Sequence, residues 1–129
     1  MMNKLIKYSL ITFALFFFIV AALIFRPVPI VAEDRAIVKQ GVVAEIYSNQ
    51  GNDIVFLFEN DKRRFYINRG LENGLELNEL KNRLIGDEVV IKYPKYWTPL
   101  DWNNRIRHLS KLEHNGEVLF NELYPASKK

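Results

Sequence analysis

The chain has no cysteine among its 129 residues. That removes disulfides, thiolate nucleophiles and Cys-rich metal sites, and it leaves no thiol to carry a lipid anchor. Histidine is scarce as well. His108 and His114 are the only two, and they lack the helical pairing that makes a zinc site credible. A serine triad would have to use Ser48 or Ser110 with one of these histidines and an acid. Ser110 and His108 stand two apart, yet no sharp nucleophile turn or glycine-rich oxyanion loop accompanies them. The inventory therefore points away from an enzyme, with no metal and no cofactor expected. The one catalytic reading left is an unrecognised hydrolase centred on His108, for which the sequence names no substrate.

Charge is missing from one long stretch. Leu10 to Phe25, LITFALFFFIVAALIF, is sixteen residues with no charge and a single hydroxyl. Helical residues 5–25 would reach about 31 Å, enough for the roughly 30 Å hydrocarbon core, with Lys7 bending its ammonium toward the headgroups. Residues 1–26 thus read as an N-terminal transmembrane anchor, whose partner is the lipid bilayer through residues 5–25. The rival is a cleaved signal peptide with Lys4 and Lys7 as its basic start and Ile30-Val31-Ala32 as its cleavage site before Glu33. Its apolar block would exceed the usual 7–15 residues. Basic residues balance across the segment, Lys4 and Lys7 before it and Arg26, Arg35 and Lys39 after it, so the positive-inside rule does not orient it. A short basic amino terminus before one apolar segment favours a single-pass protein with its C-terminal domain outside the cytoplasm, periplasmic or at the cell surface.

The net charge of +3 comes from the anchor. Lys4, Lys7 and Arg26 flank it, leaving 15 cations against all 15 acids in residues 33–129. A formally neutral domain makes nucleic acid an unexpected partner. Residues 27–35 form a stiff linker, residues 36–124 suffice for one domain, and residues 125–129 are a tail. No internal repeat is present.

Within the domain, apolar residues recur mostly at every second position, which predicts strands. The first covers Ile37 to Tyr47, with Val42, Ala44 and Ile46 on one face and Val43, Glu45 and Tyr47 on the other. Gly41 inside it suits a bulge or a sharp bend. A hairpin loop, Ser48 to Asp53, leads to Ile54–Phe58, apolar on both faces and so central. Asn60-Asp61 turns the chain into a third strand, Arg64 to Asn68. Leu77, Leu80 and Leu84 then share a helical face that ends at Gly86. A fourth strand, Glu88 to Tyr93, precedes the aromatic loop YPKYWTPLDWNNR, and Ile106–His114 pairs with Glu117–Glu122 across Asn115-Gly116.

This order of curved strands, one helix and further strands resembles the OB fold, through Gly41 and the ELNELKNRLIG helix over about residues 36–122. The fold class expected is mainly β with one short helix, an OB-like five- to six-stranded barrel behind one N-terminal transmembrane helix. Five-stranded SH3-like barrels are the rival, in which a helix at this point is less expected. The resemblance implies ligand binding on the face of the second and third strands, flanked by the loop after the first strand and by the loop Pro94–Asn104. Tyr96, Trp97, Asp101, Trp102 and Asn103 of that loop, with Arg105 just beyond it, are the candidate ligand-binding residues, since rings beside a carboxylate, an amide and a guanidinium can stack on a ligand and fix its polar groups. The same residues would serve equally to cover an open barrel end. Lys62-Arg63-Arg64 beside Phe65 and Tyr66 reads as a solvated hairpin end, although basic and aromatic residues together also occur on nucleic-acid surfaces.

The haem chaperones of cytochrome c maturation are similar in architecture, a single anchor before an extracytoplasmic OB domain. That resemblance implies a histidine followed four residues later by a tyrosine. Here Val118 follows His114 and Leu112 follows His108, so no haem role carries over. The function expected is a membrane-tethered protein- or glycan-binding or assembly module; the alternative is a cytoplasm-facing domain that binds single-stranded nucleic acid.

Overall fold

The computed structural model describes residues 3–125; the first two residues of the expected anchor and residues 126–129 of the expected tail lie outside them. Helix α1, Lys4–Ile24, is long and apolar enough to cross a membrane. Asn3 caps it by accepting from the Leu5 N–H at 3.2 Å, and the Thr12 hydroxyl is satisfied by donating to Tyr8 O at 2.9 Å. The rest is mainly β: β1 Ile37–Ser48, β2 Ile54–Phe58, β3 Arg64–Ile67, then helix α2 Leu77–Leu84, β4 Glu88–Tyr93, β5 Ile106–His108, β6 Lys111–His114 and β7 Glu117–Asn121.

The strands hydrogen-bond in the order β5-β3-β2-β1-β4-β6-β7, a seven-stranded mixed sheet in which only β3 and β5 run parallel. The sheet as hydrogen-bonded is open and has seven strands where five to six were expected. The extra strand arises because the stretch expected as one strand from Ile106 to His114 is interrupted at Leu109 and Ser110. Their N–H groups turn to different neighbours, Leu109 donating to Tyr66 O at 2.7 Å and Ser110 to Lys92 O at 2.9 Å.

Strand β1 serves two partners. Ile37 to Val42 pair with β4, whereas Val43 to Ser48 pair with β2. Two local features let it bend. A Cβ on Gly41 would meet the Phe58 ring at 3.0 Å, so a side chain there would displace a core aromatic. The register also slips between Val43 and Glu45, a bulge that leaves Ala44 unopposed. The bulge corrects the expected face of this strand: Val43 and Ile46 are fully buried, and Val42, Ala44 and Ile46 do not share one side.

Ile46, Phe56 and Phe65 lie in one cross-strand row at the centre of the core, and Phe58, Phe65 and Tyr93 stack edge to face at 5.4 and 5.3 Å. Each such buried side chain contributes on the order of 1.5–3 kcal/mol by its removal from water. Helix α2 closes this core with Leu80 and Leu84, and Gly86 at φ +88° ends it as expected. Asn115 and Gly116 both take positive φ, the geometry of the tight hairpin turn between β6 and β7.

The linker is not a free spacer. Glu33 N–H donates to Tyr124 O at 2.9 Å and Tyr124 N–H to Val31 O at 3.2 Å. The Glu33 carboxylate bridges Lys111 and, at 2.9 Å, Lys92. These two ammonium groups, Lys111 foremost, pull its pKa from 4.5 down to about 2, while the Lys111 pKa rises.

Candidate functional site

Cross-strand register places two rows on the outer face of the sheet. Tyr47, Val55, Tyr66 and His108 are successive partners across β1, β2, β3 and β5. Leu57, Arg64 and Ile106 form the next row, with Glu45 opposite Leu57. The residues between these rows, Phe56 and Phe65, point into the core, so period-2 alternation obliges the rows to face outward. A groove of about 480 Å³ lies over them, lined by Tyr47, Asn49, Asp53, Val55, Arg64, Tyr66, Asn68 and Ile106.

One rim of the groove is fixed by its own loop. Asn49 Oδ1 accepts from the Gly51 and Asp53 N–H groups at 3.0 and 3.1 Å, and Asp53 Oδ1 accepts from the Arg69 N–H at 2.8 Å. Its floor is aromatic. Tyr66 meets the His108 ring edge to face at 5.3 Å, and burial, reinforced by the Asp53 charge, raises the Tyr66 pKa, so that phenol is a neutral donor throughout the physiological range. The Tyr47 and Tyr66 hydroxyls, the Asn68 amide and the Arg64 guanidinium make no hydrogen bond among the described residues.

At the other end of the groove, Lys62, Arg64 and Arg105 surround Ile106. All three cations are exposed, and among the described residues none pairs with a carboxylate. The sequence cluster Lys62-Arg63-Arg64 is thereby divided. Arg63 turns inward, donating to Asp61 Oδ1 and Oδ2 at 3.1 and 2.9 Å and to the Tyr93 hydroxyl at 3.1 Å, with its guanidinium 5.0 Å from the Phe65 ring centre. That guanidinium, with Lys39 at 3.0 Å, holds the Asp61 carboxyl well below the usual range, and Asp61 in turn raises the Arg63 pKa. Arg105, 42 residues further along the sequence, takes Arg63's place in the exposed cluster.

Most of the other expected site residues lie together in the 94–104 loop, where Tyr96, Trp97 and Asp101 use their polar atoms within the chain. Both Asp101 carboxylate oxygens accept backbone N–H groups, Oδ1 from Arg105 and Oδ2 from Ile106, each at 2.9 Å. The Tyr96 hydroxyl donates to Arg26 O at 2.9 Å, and Trp97 Nε1 donates to Trp102 O at 3.2 Å beneath an edge-to-face ring pair. Arg107, buried at 8% exposure, holds the loop from inside by donating to Tyr96 O, Asn104 Oδ1 and Pro94 O at 2.7, 2.9 and 3.2 Å. Trp102, Asn103 and Arg105 remain exposed. The signal in the sequence is period-2 alternation, which puts Tyr47 of β1 and Tyr66 of β3 on one face either side of Val55, with Asn68 directly after β3.

The histidines have structural partners. His108 Nε2 meets the Glu122 carboxylate, and His114 Nε2 lies 3.0 Å from Asp87 Oδ2. Ser110 is fully buried, with an Oγ that has no hydrogen-bond partner among the described residues. Among the described residues, no group of three or more His, Asp or Glu side chains could hold a metal ion. Comparison of the chain with protein-family models, with curated proteins and with solved structures finds no match.

Proposed function

We propose that this protein is a single-pass membrane protein whose OB-like domain, outside the cytoplasm, binds a protein or glycan partner in the groove over β2 and β3. The observation that carries the reading is the groove itself: two free phenols, a free amide and a free guanidinium converge on an apolar strip at the place where the OB resemblance expects a ligand. Rings flanked by hydrogen-bonding groups suit sugar faces and extended peptides alike.

The barrel part of the proposal draws on three features. Strand β1 is shared between β2 and β4, β3 and β5 run parallel, and β5 passes into β6 through only Leu109 and Ser110, whose N–H groups bond to the two sides that a closed barrel would join. On this reading β5 and β6 are one bent strand that closes the circuit, and β7 is an added hairpin arm.

The test is a photo-crosslinking residue at position 106, whose native Ile106 lines the groove and is exposed, in the full chain in its native membrane, against the same residue at position 81 on α2. Capture of a defined protein or glycan from position 106 alone supports the groove; equal capture from both positions removes it. A second reading is favoured by the unpaired Lys62, Arg64 and Arg105 beside two tyrosines: a cytoplasm-facing domain that binds single-stranded nucleic acid. It requires oligonucleotide affinity that falls steeply with salt. A reporter active only outside the cytoplasm, fused after Lys129, separates the two readings, since its activity on an uncleaved chain rejects the nucleic-acid one.

A further inference from the structure

We infer that the 94–104 loop is a membrane-interface dock, with Leu100 and Trp102 seated in the headgroup region of the leaflet where α1 ends. The inference rests on reading α1 as an uncleaved span and assigns the loop a partner, the bilayer surface, separate from that of the groove.

Depth is the first argument. Along α1, residues 4–19 stand exposed, while Val20, Ala21, Leu23 and Ile24 are half-covered. The 3-10 turn Pro99–Asp101 packs against this helix. One helical turn is about 5.4 Å, so a loop lying on the last apolar turn of a span stands at the boundary between acyl chains and headgroups. The attachment is specific. Arg26 donates to Trp97 O at 3.0 Å, its guanidinium lies 4.8 Å from the Tyr96 ring centre, and Tyr96 returns a hydrogen bond to Arg26 O.

Chemistry is the second argument. At that depth the chain exposes Leu100 at 72%, Trp102 at 75% and Phe25 at 83%. In water these surfaces would be an unexplained apolar cost, whereas at an interface a tryptophan buries its ring and keeps its indole N–H wet. Trp102 Nε1 has no hydrogen-bond partner among the described residues and is available to a headgroup or to water. Lys95 is exposed nearby, beside Arg26 and Tyr96, where its ammonium reaches lipid phosphates.

The sequence provides its own probe, because Trp97 and Trp102 are the only tryptophans. Tryptophan emission, excited where tyrosine does not absorb, from the full chain reconstituted in phosphatidylcholine–phosphatidylglycerol vesicles therefore reports on this loop alone. Lipids carrying a nitroxide near the headgroup should quench it strongly, lipids with the nitroxide near the acyl terminus weakly, and iodide on both sides little. The expected depth is about 5–10 Å into the boundary region. Trp97→Phe, which leaves Trp102 as reporter, should keep the shallow quenching, and Leu100→Asp should shift quenching from lipid to iodide. Tryptophans open to iodide and indifferent to both nitroxides, in a chain that resists alkaline extraction, overturn the dock and leave the anchor standing. A chain that alkali extracts overturns the anchor reading and the dock with it.

Discussion

The two aromatic surfaces of this domain are built from similar residues but dispose of their polar atoms in opposite ways. In the 94–105 loop, Tyr96, Trp97 and Asp101 spend their donors and acceptors on backbone groups of the same chain. Over β2 and β3, the Tyr47 and Tyr66 hydroxyls, Asn68 and Arg64 are left free. Saturated groups hold a loop in one shape, and free groups are available to a ligand. Ring content therefore says little about either surface, while hydrogen-bond accounting shows which polar atoms are already committed within the chain. Asn49 and Asp53 form the hinge of this contrast, since they line the groove but are committed to their own hairpin.

The largest effect that would break the contrast concerns Arg107, which lies beneath the loop. Replacing it with methionine preserves much of its apolar stem but strands three oxygen acceptors and removes a cation 5.5 Å from the Tyr93 ring centre. Charged hydrogen bonds of this kind are worth about 1.5–3 kcal/mol each and are not additive, so a loss of about 3 kcal/mol is expected in urea unfolding of the full chain in micelles. Capture at position 106 should survive in the fraction still folded. A loss under about 1 kcal/mol would mean the loop is not held from within.

Asp101→Ala should cost less, about 1–2 kcal/mol, because two backbone N–H groups at the entry to β5 lose their acceptor. Asp101→Asn keeps one acceptor oxygen and should recover part of that loss. If both variants unfold like the unmodified chain, Asp101 is as free as the groove residues and the contrast fails at its clearest point.

Acid sharpens the comparison at the linker. The Glu33 pKa is lowered in the folded protein from 4.5 to about 2 by Lys111 and Lys92. A depressed carboxylate adds stability above its unfolded pKa and loses it as pH falls through the folded one, so the linker contact should weaken between about pH 4.5 and 2. The Glu33 and Tyr124 amides, whose bonds join linker and domain, should lose hydrogen-exchange protection, taken relative to the intrinsic rate at each pH, in that window before the β2–β3 amides do. Glu33→Gln should abolish the difference.

Much of this architecture was legible in the sequence, because period-2 strands and a period-3.6 helix leave plain marks: β2 and β4 have the expected limits, and α2 ends before Gly86. The bulge at Ala44 was not, since an apolar run reads the same with or without a one-residue slip. The break at Leu109-Ser110 escaped notice for a related reason: backbone N–H groups that change partner leave no pattern in side chains. The site was read at one remove. The outer face of β2 and β3 was expected from the OB resemblance, yet the residues named lay in the loop, because two tryptophans are conspicuous and a free hydroxyl is invisible until its neighbours are placed. Arg63 leaves the expected solvated cluster because a basic triplet cannot indicate which member meets Asp61.

The smallest effect on stability carries the most information about function. Arg64→Ala and Asn68→Ala remove exposed side chains with no hydrogen-bond partner among the described residues, so each should leave unfolding within about 0.5 kcal/mol of the unmodified chain. If the groove is the binding surface, partner capture from a crosslinking residue at the neighbouring Ile106, itself 53% exposed, should nevertheless fall several-fold in the double variant. That combination, stability kept and capture lost, is the reverse of the Arg107 result. Unchanged capture would move the binding surface off β2 and β3, and a large loss of stability would show that these two side chains, like those of the loop, serve the fold.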